Sequence, residues 1–129
     1  MKLDPVCTVT VDDIRKHVQS CQVMVKPLVI ARGTQNKILE GMAMGLPVVS
    51  SHLAARGVDA VVGEHILAAT TPEQYADEVM SLFADPHKQQ KFSVAGRARV
   101  LSHHNWRRGM EMMGDCIDRT ITEFKKQVG

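Results

Sequence analysis

Two patterns of hydrophobic and polar positions follow one another along the chain. Short apolar runs rich in β-branched residues lie at residues 6–11, 23–25 and 46–50, with a weaker run at 65–68, and such runs predict strands. Apolar residues at helical spacing predict helices over residues 12–20, 35–44, 52–56, 72–83, 86–101 and 106–126. Strands that are apolar throughout are typical of a parallel sheet, so the pattern predicts an α/β fold.

Residues that cap helices mark the ends of these segments. The candidate N-caps are Thr10 (in a capping box with Asp13), Thr34, Thr71, Asp85 and Asn105. Gly45 and Gly57 are positioned to end the second and third helices. The last helix gathers its apolar residues on one face, which comprises Trp106, Met110, Met113, Ile117, Ile121 and Phe124.

Composition mainly excludes classes of protein. The chain has 129 residues, of which 44% are hydrophobic and 23% charged, as expected for one globular domain. Its three cysteines are odd in number and widely spaced, which favours a reduced cytoplasmic protein over a disulfide scaffold. No apolar run approaches the about 20 residues of a membrane span. The net charge of +2 gives no reason to expect a nucleic-acid partner.

The loop after the second predicted strand carries the candidate chemistry. Ligands of parallel sheets bind beyond the carboxyl ends of the strands, and this loop leads through Gly33 into a helix start, where free amides attract anions. Arg32 and Lys37 add positive charge suited to a phosphate. Glu40, one turn further on, is suited to accept hydrogen bonds from a vicinal diol such as that of ribose.

The same segment resembles a known signature. Residues 35–50, QNKILEGMAMGLPVVS, are similar to the N-K-x-x-E-x-M-A-x-G-x-P-V-V stretch in the donor-binding domain of retaining GT-B glycosyltransferases, family 4 in particular. The longer string from Ile30 to Val49 is similar to a subset of bacterial sugar transferases linked to exopolysaccharide synthesis. The resemblance extends over nearly the whole chain, through Thr71-Pro72 and the Asp85-Pro86 pair.

The resemblance implies roles for individual residues. Glu40 matches the second glutamate of the family's E-x7-E motif, which binds the nucleotide ribose, whereas the position of the first glutamate holds Arg32. That departure suggests that Arg32 serves the diphosphate instead of the donor sugar. The remaining donor-binding residues implied are Gly33, Thr34 and Gln35 in the diphosphate loop, Asn36 and Lys37 in the motif, and Pro27 and Leu28 beside the base.

The resemblance also implies an architecture and an activity. Residues 1–129 would be part of the C-terminal, Rossmann-like, three-layer half of a GT-B enzyme, without its N-terminal acceptor domain and the first strands of the donor domain. The intact enzyme would transfer a sugar from a UDP-, GDP- or ADP-linked donor to an acceptor hydroxyl with retention, in polysaccharide or glycoconjugate synthesis. It would need no metal or cofactor, and this chain alone would be inactive, with no catalytic residue assigned to it.

Two other functions stay open on the sequence. One is a GT-B-fold sugar-nucleotide epimerase, whose catalytic carboxylates and histidine would lie across the cleft. The other is a non-catalytic module that self-associates, predicted as a homodimer, through strand edges and apolar helix faces. The basic residues near the C-terminus are interpreted as solvated, with contact to the anionic inner face of the membrane as the weaker alternative. The histidines, among them His52 and His104, show no metal-ligand spacing and are interpreted as surface residues.

Overall fold

The computed structural model of the protein describes residues 10–129. In chain order the described elements are α1 (Ile14–Val18), β1 (Met24–Lys26), α2 (Asn36–Ala43), β2 (Val48–Ser50), α3 (His52–Arg56), β3 (Leu67–Ala68), α4 (Pro72–Ala84), α5 (Pro86–His103) and α6 (Trp106–Val128). The α/β fold class is therefore confirmed in its coarse form, as helices combined with a parallel sheet.

The three strands form one parallel sheet in the order β1-β2-β3. Lys26 at the end of β1 pairs with Ser50 at the end of β2, and Ser50 pairs with Ala68 at the end of β3. The three carboxyl ends therefore lie side by side, and the loops that follow them share one edge of the sheet.

Apolar side chains on both sides of β2 build the core. Val48 belongs to a cluster with Ile38 of α2 and with Ala54 and Ala55 of α3, while Val49 belongs to a second cluster with Leu82 of α4. Adjacent residues of a strand point to opposite faces, so β2 is buried on both, as its unbroken apolar pattern predicted. Helix α5 contributes to both clusters, with Phe92 in one and Val100 in the other.

Several predicted helix boundaries are confirmed. Thr71 accepts a hydrogen bond from the Gln74 amide at 3.2 Å and forms a capping box with that residue. Asp85 and Asn105 likewise cap α5 and α6. Gly45 has φ +79° just beyond α2, where its amide donates to the Met42 carbonyl and the Leu46 amide to the Gly41 carbonyl. This pair of bonds is a Schellman motif, which accounts for the glycine.

Other predicted boundaries are wrong. The N-cap of α1 is Asp13, which accepts a hydrogen bond from the Arg15 amide at 3.0 Å, and not Thr10. The N-cap of α2 is Gln35 and not Thr34. Most of the first predicted strand, residues 6–9, lies outside the described residues, and its last two residues, 10 and 11, are not in a strand. Strand β1 begins at Met24, and its central Val25 is 43% exposed, so β1 is not buried on both faces.

Helix α6 stands apart from the two core clusters. The predicted apolar face is present, but the helix contains no buried residue. Trp106 at its start is 84% exposed and Phe124 near its end is 64% exposed. Among the described residues, the sequence pattern therefore identified an amphipathic helix whose apolar face has no partner.

Candidate functional site

A cavity of about 780 Å³ lies at the carboxyl ends of the three strands. Its walls come from the loops after the strands and from the starts of α3 and α4, and include Pro27, Leu28, Val29, Ser51, His52, Leu53, Ala69, Thr70, Pro72 and Tyr75. The cavity forms because the parallel register brings three loops to one edge of the sheet. It contains the predicted base-binding residues Pro27 and Leu28.

The strand-end cavity is mainly apolar, with a few polar groups around its wall. Ser51 also caps α3, since its hydroxyl accepts a hydrogen bond from the Ala54 amide at 3.2 Å. Burial raises the pKa of the Tyr75 phenol, so this group stays protonated at neutral pH and is available as a hydrogen-bond donor. An apolar cavity with a few polar groups is the usual form of a small-molecule site.

Sequence reasoning missed four residues of this wall. His52 was interpreted as a surface residue, and Ser51, Thr70 and Tyr75 were given no role in binding. For Ser51, His52 and Thr70 the signal was their position directly after the third and fourth predicted strands, because loops at the carboxyl ends of parallel strands are where ligands bind. Tyr75 lies in the helix that follows the fourth predicted strand. The sequence interpretation applied the rule only to the loop after the second predicted strand.

The loop before α2 has a fixed backbone and exposed side chains. Gly33 has φ +67°, a left-handed conformation that glycine adopts without strain. The Gln35 side-chain amide donates to the carbonyls of Arg32 at 3.2 Å and Gly33 at 3.4 Å. A Cβ on Gly57 would lie 2.9 Å from the Gly33 carbonyl oxygen, so the end of α3 packs closely against this turn. Arg32, Gly33 and Thr34 are all exposed.

The N-terminus of α2 has no side-chain cap, because the Gln35 side chain bonds back into the loop. The other five described helices each begin with a side chain that accepts from a backbone amide; these caps are Asp13, Ser51, Thr71, Asp85 and Asn105. The first turn of α2 holds no acidic residue and carries Lys37. Its start is therefore open and positive, as an anion site requires.

Lys37 and Glu40 lie on the side of α2 that faces α1, and not beside the strand-end cavity. They line a second cavity, of about 440 Å³, between α1 and α2, whose opposite wall includes Asp13 and Arg15. The structure therefore does not gather all the predicted site residues into one cavity. Pro27 and Leu28 line the strand-end cavity, and Lys37 and Glu40 line the α1–α2 cavity. The Arg32–Asn36 segment, exposed except for the half-buried Gln35, runs between them.

The parallel sheet, its helices and the cavity at its carboxyl edge define the chain as an α/β protein of Rossmann-like type. The profile of the family described as "Glycosyl transferases group 1" matches residues 5–85, more than half of the chain. The chain belongs to this family. The match includes every described element from α1 to α4 and ends just before α5 begins. A comparison with curated proteins found no match.

Three further observations concern residues 10–129. No helix in this part of the chain has an apolar stretch long enough to cross a membrane. In the same residues, no three His, Cys, Asp or Glu side chains are grouped so that they could hold a metal ion. The basic residues Arg97 and Arg99 are engaged within the fold, since they donate to the carbonyls of Ala43 at 2.9 Å and Asp59 at 2.8 Å.

Proposed function

We propose that this chain forms the donor-binding part of a retaining glycosyltransferase of the GT-B type, similar to the family 4 enzymes. The observation that carries the proposal is the uncapped, positive start of α2 beside the carboxyl edge of a parallel sheet, in a member of the group 1 glycosyl transferases. Helix starts of this kind bind the phosphates of nucleotides in other α/β proteins. A nucleotide-sugar is therefore the ligand class that fits best.

In the proposed complex, three parts of the donor occupy three neighbouring surfaces. The base lies in the strand-end cavity against Pro27 and Leu28, where Tyr75 offers a hydrogen-bond donor. The diphosphate lies against the amides of Gly33 to Lys37 and the guanidinium of Arg32. The ribose joins the base to the diphosphate and therefore lies between these two surfaces. We assign its hydroxyls to Glu40, whose carboxylate has to turn from the α1–α2 cavity towards the loop to reach them.

The chemistry of transfer then follows from charge. When the bond between the anomeric carbon and the diphosphate oxygen breaks, negative charge grows on the leaving nucleoside diphosphate. Oriented amides at the start of α2, with Arg32 and Lys37, stabilise that charge more than they stabilise the bound donor. The acceptor hydroxyl forms the new bond to the anomeric carbon on the face that the diphosphate leaves, which gives retention, and its proton passes to the departing diphosphate oxygen. No side chain of this chain is assigned to receive that proton.

In this proposal a second domain binds the acceptor. In the proposed enzyme this chain is a partial C-terminal half with a three-layer sheet, an N-terminal domain binds the acceptor, and the cleft between them encloses the anomeric carbon. The chain alone is expected to bind donor without transferring sugar. The proposed enzyme acts in polysaccharide or glycoconjugate synthesis, including the exopolysaccharide class, and meets a lipid-linked acceptor at the inner face of the membrane.

Titration of the full chain with UDP, GDP and ADP, followed by calorimetry and by NMR amide shifts, tests the proposal. At least one nucleotide should shift the amides of residues 32–40. Arg32→Ala should weaken that binding about 10- to 100-fold, because it removes a charged hydrogen-bond partner of the diphosphate. Glu40→Ala should weaken binding of the nucleotide but not of inorganic diphosphate, since only the nucleotide has ribose hydroxyls.

Lys126→Ala is the control for Arg32→Ala, because both variants lose one positive charge and Lys126 lies at the far end of α6. The control should bind nucleotide as the wild type does. If none of the three nucleotides shifts residues 32–40, the donor-site proposal is wrong. Transfer of a radiolabelled sugar by the chain alone would contradict its expected inactivity.

A further inference from the structure

Helix α6 exposes a continuous apolar stripe along its whole length. We call this set of residues the α6 stripe; it consists of Trp106, Met110, Met113, Ile117, Ile121, Phe124 and Val128. Every member is between 46% and 84% exposed. The stripe lies outside residues 5–85, so the family match does not account for it.

The size of the stripe marks it as an interaction surface. A helix of 23 residues is about 34 Å long and about 10 Å wide with its side chains. One face of it therefore presents several hundred Å² of apolar surface, which is as large as the largest patches that monomeric proteins expose. A helix that packs on nothing is also marginal in water, because most helical stability comes from burial of the apolar face.

The order of residues in the stripe shows what fits it. Successive members are four, three, four, four, three and four residues apart, which is the same series read from either end. A two-fold axis through Ile117 therefore brings every member opposite another member of a second α6 that runs in the reverse direction. In this arrangement Trp106 faces Val128, the largest side chain against the smallest, and Met110 faces Phe124.

We propose that the α6 stripe is the interface of a homodimer in which two copies of α6 pack antiparallel about Ile117. Two such faces bury on the order of 1,000 Å² in total, the lower limit for a specific interface. The dimer is therefore expected to dissociate reversibly on dilution. Because the stripe lies outside the donor site, this inference does not depend on the proposed glycosyl transfer.

The charges of α6 favour a protein partner over a membrane. A helix that lies on an anionic membrane has a predominantly basic polar face. Helix α6 has nearly balanced charges, with five basic residues (Arg107, Arg108, Arg119, Lys125 and Lys126) and four acidic residues (Glu111, Asp115, Asp118 and Glu123). The acidic side chains would oppose an anionic surface, whereas a second copy of the stripe is neutral.

The free cysteine of α6 reports the direction of packing. Cys116 is exposed and borders the stripe one residue from Ile117. In an antiparallel pair the same edge of each helix meets its own copy, so Cys116 lies near Cys116 of the second copy. In a parallel pair the two residues fall on opposite sides of the helix pair. Linkage between the two thiols therefore distinguishes the two arrangements.

Sedimentation velocity of the full chain over a range of concentrations tests the interface. The wild type should be a dimer that dissociates on dilution, with a red shift of the emission from Trp106, the single tryptophan. Ile117→Glu places two carboxylates at the axis and should raise the dissociation constant at least about 100-fold, since two unpaired charges would be buried together. Thr122→Glu, the same new side chain on the opposite face of α6, should remain dimeric.

A Cys7→Ser/Cys21→Ser variant keeps Cys116 as its single cysteine. With Ile117 unchanged, this variant should form a covalent dimer when it is treated with a short bismaleimide. A chain that is monomeric at every concentration would overturn the proposal. If that monomer sedimented with phosphatidylserine vesicles, the α6 stripe would be a membrane-binding surface instead. A dimer unaffected by Ile117→Glu, or one that does not cross-link through Cys116, would overturn the antiparallel α6 interface. Nucleotide titration of Ile117→Glu should match the wild type, so failure here is distinguishable from failure of the donor site.

Discussion

Helices α2 and α4 both follow loops at the carboxyl edge of the sheet, yet their starts differ. At α4, Thr71 accepts from the Gln74 amide, and the Gln74 side chain in return accepts from the Thr70 amide at 2.8 Å and the Thr71 amide at 3.4 Å. At α2, the Gln35 side chain turns away from the helix to the carbonyls of Arg32 and Gly33. One helix start is closed by its own sequence, and the other is left open.

The difference teaches that packing and capping are separate properties of these helices. Ile38 of α2 and Leu82 of α4 are both fully buried, so each helix is anchored by a core residue. A missing N-cap costs about 1 kcal/mol of stability, and at α2 that cost falls at the place where an anion would supply the missing acceptor. Each of the following changes tests one side of this comparison.

The largest effect is expected from the anchor of the open helix. Ile38→Ala removes a fully buried side chain and should lower the free energy of unfolding by about 2–5 kcal/mol. Lys37→Ala changes the exposed neighbour and should alter stability by less than about 0.5 kcal/mol. Urea denaturation of both variants measures the two values. Equal losses would show that packing does not hold the open start in place.

A smaller effect is expected from the caps themselves. Thr71→Ala breaks the capping box and should cost about 1 kcal/mol. Thr34→Ala is the matched substitution before α2, where Gln35 and not Thr34 occupies the N-cap position, and it should be nearly neutral. Thermal unfolding of the two variants provides the measurement. A loss at Thr34 as large as that at Thr71 would mean that α2 is capped after all.

The smallest effect concerns α1, whose start is closed by a carboxylate. Hydrogen bonds from Arg15 lower the pKa of Asp13 below its ordinary value of 3.8. The stabilisation from this cap is therefore complete above that value and is lost as the pH falls through the lowered pKa. The open start of α2 has no such group and should not respond in this range. The net effect on stability is small because the Arg15 side chain is 73% exposed and solvent screens the pair.

Carboxyl NMR shifts followed over acidic pH measure the Asp13 titration directly. Arg15→Ala should move the pKa of Asp13 part of the way back towards 3.8, since the side-chain hydrogen bond is its largest cause. An unchanged titration in that variant would exclude Arg15 as the cause.

Local signals and long-range contacts account for what the sequence did and did not predict. In Thr71-Pro72 and Asp85-Pro86 a capping side chain is followed directly by a proline suited to the first helical position. This signal is local, so the starts of α4 and α5 were predicted correctly. The start of α2 depends on the left-handed turn at Gly33 and its contact with Gly57, which lies 24 residues further along the chain. A local sequence pattern cannot show a contact between residues so far apart, and the prediction of Thr34 as the N-cap of α2 was therefore wrong.

The same distinction applies to the candidate site. The loop before α2 was chosen as the candidate because a glycine, an arginine and a family-like motif occur together in one segment. Ser51, Thr70 and Tyr75 meet in one cavity because Ser50 pairs with Ala68, and this pairing is set by the sheet. The periodicity of α6 was predicted, but its exposure was not, because exposure depends on what the rest of the fold leaves uncovered.

The contacts of helix α5 determine where the chain can be truncated to give a stable recombinant domain. Phe92 and Val100 complete the two core clusters, and Arg97 and Arg99 hold the end of α2 and the loop after α3 through backbone carbonyls. Excision at residue 85, where the family match ends, would therefore remove part of both clusters and yield an unstable product. Excision between His104 and Trp106 would remove no buried residue, so the stable unit for protein engineering extends one helix past the recognised family segment.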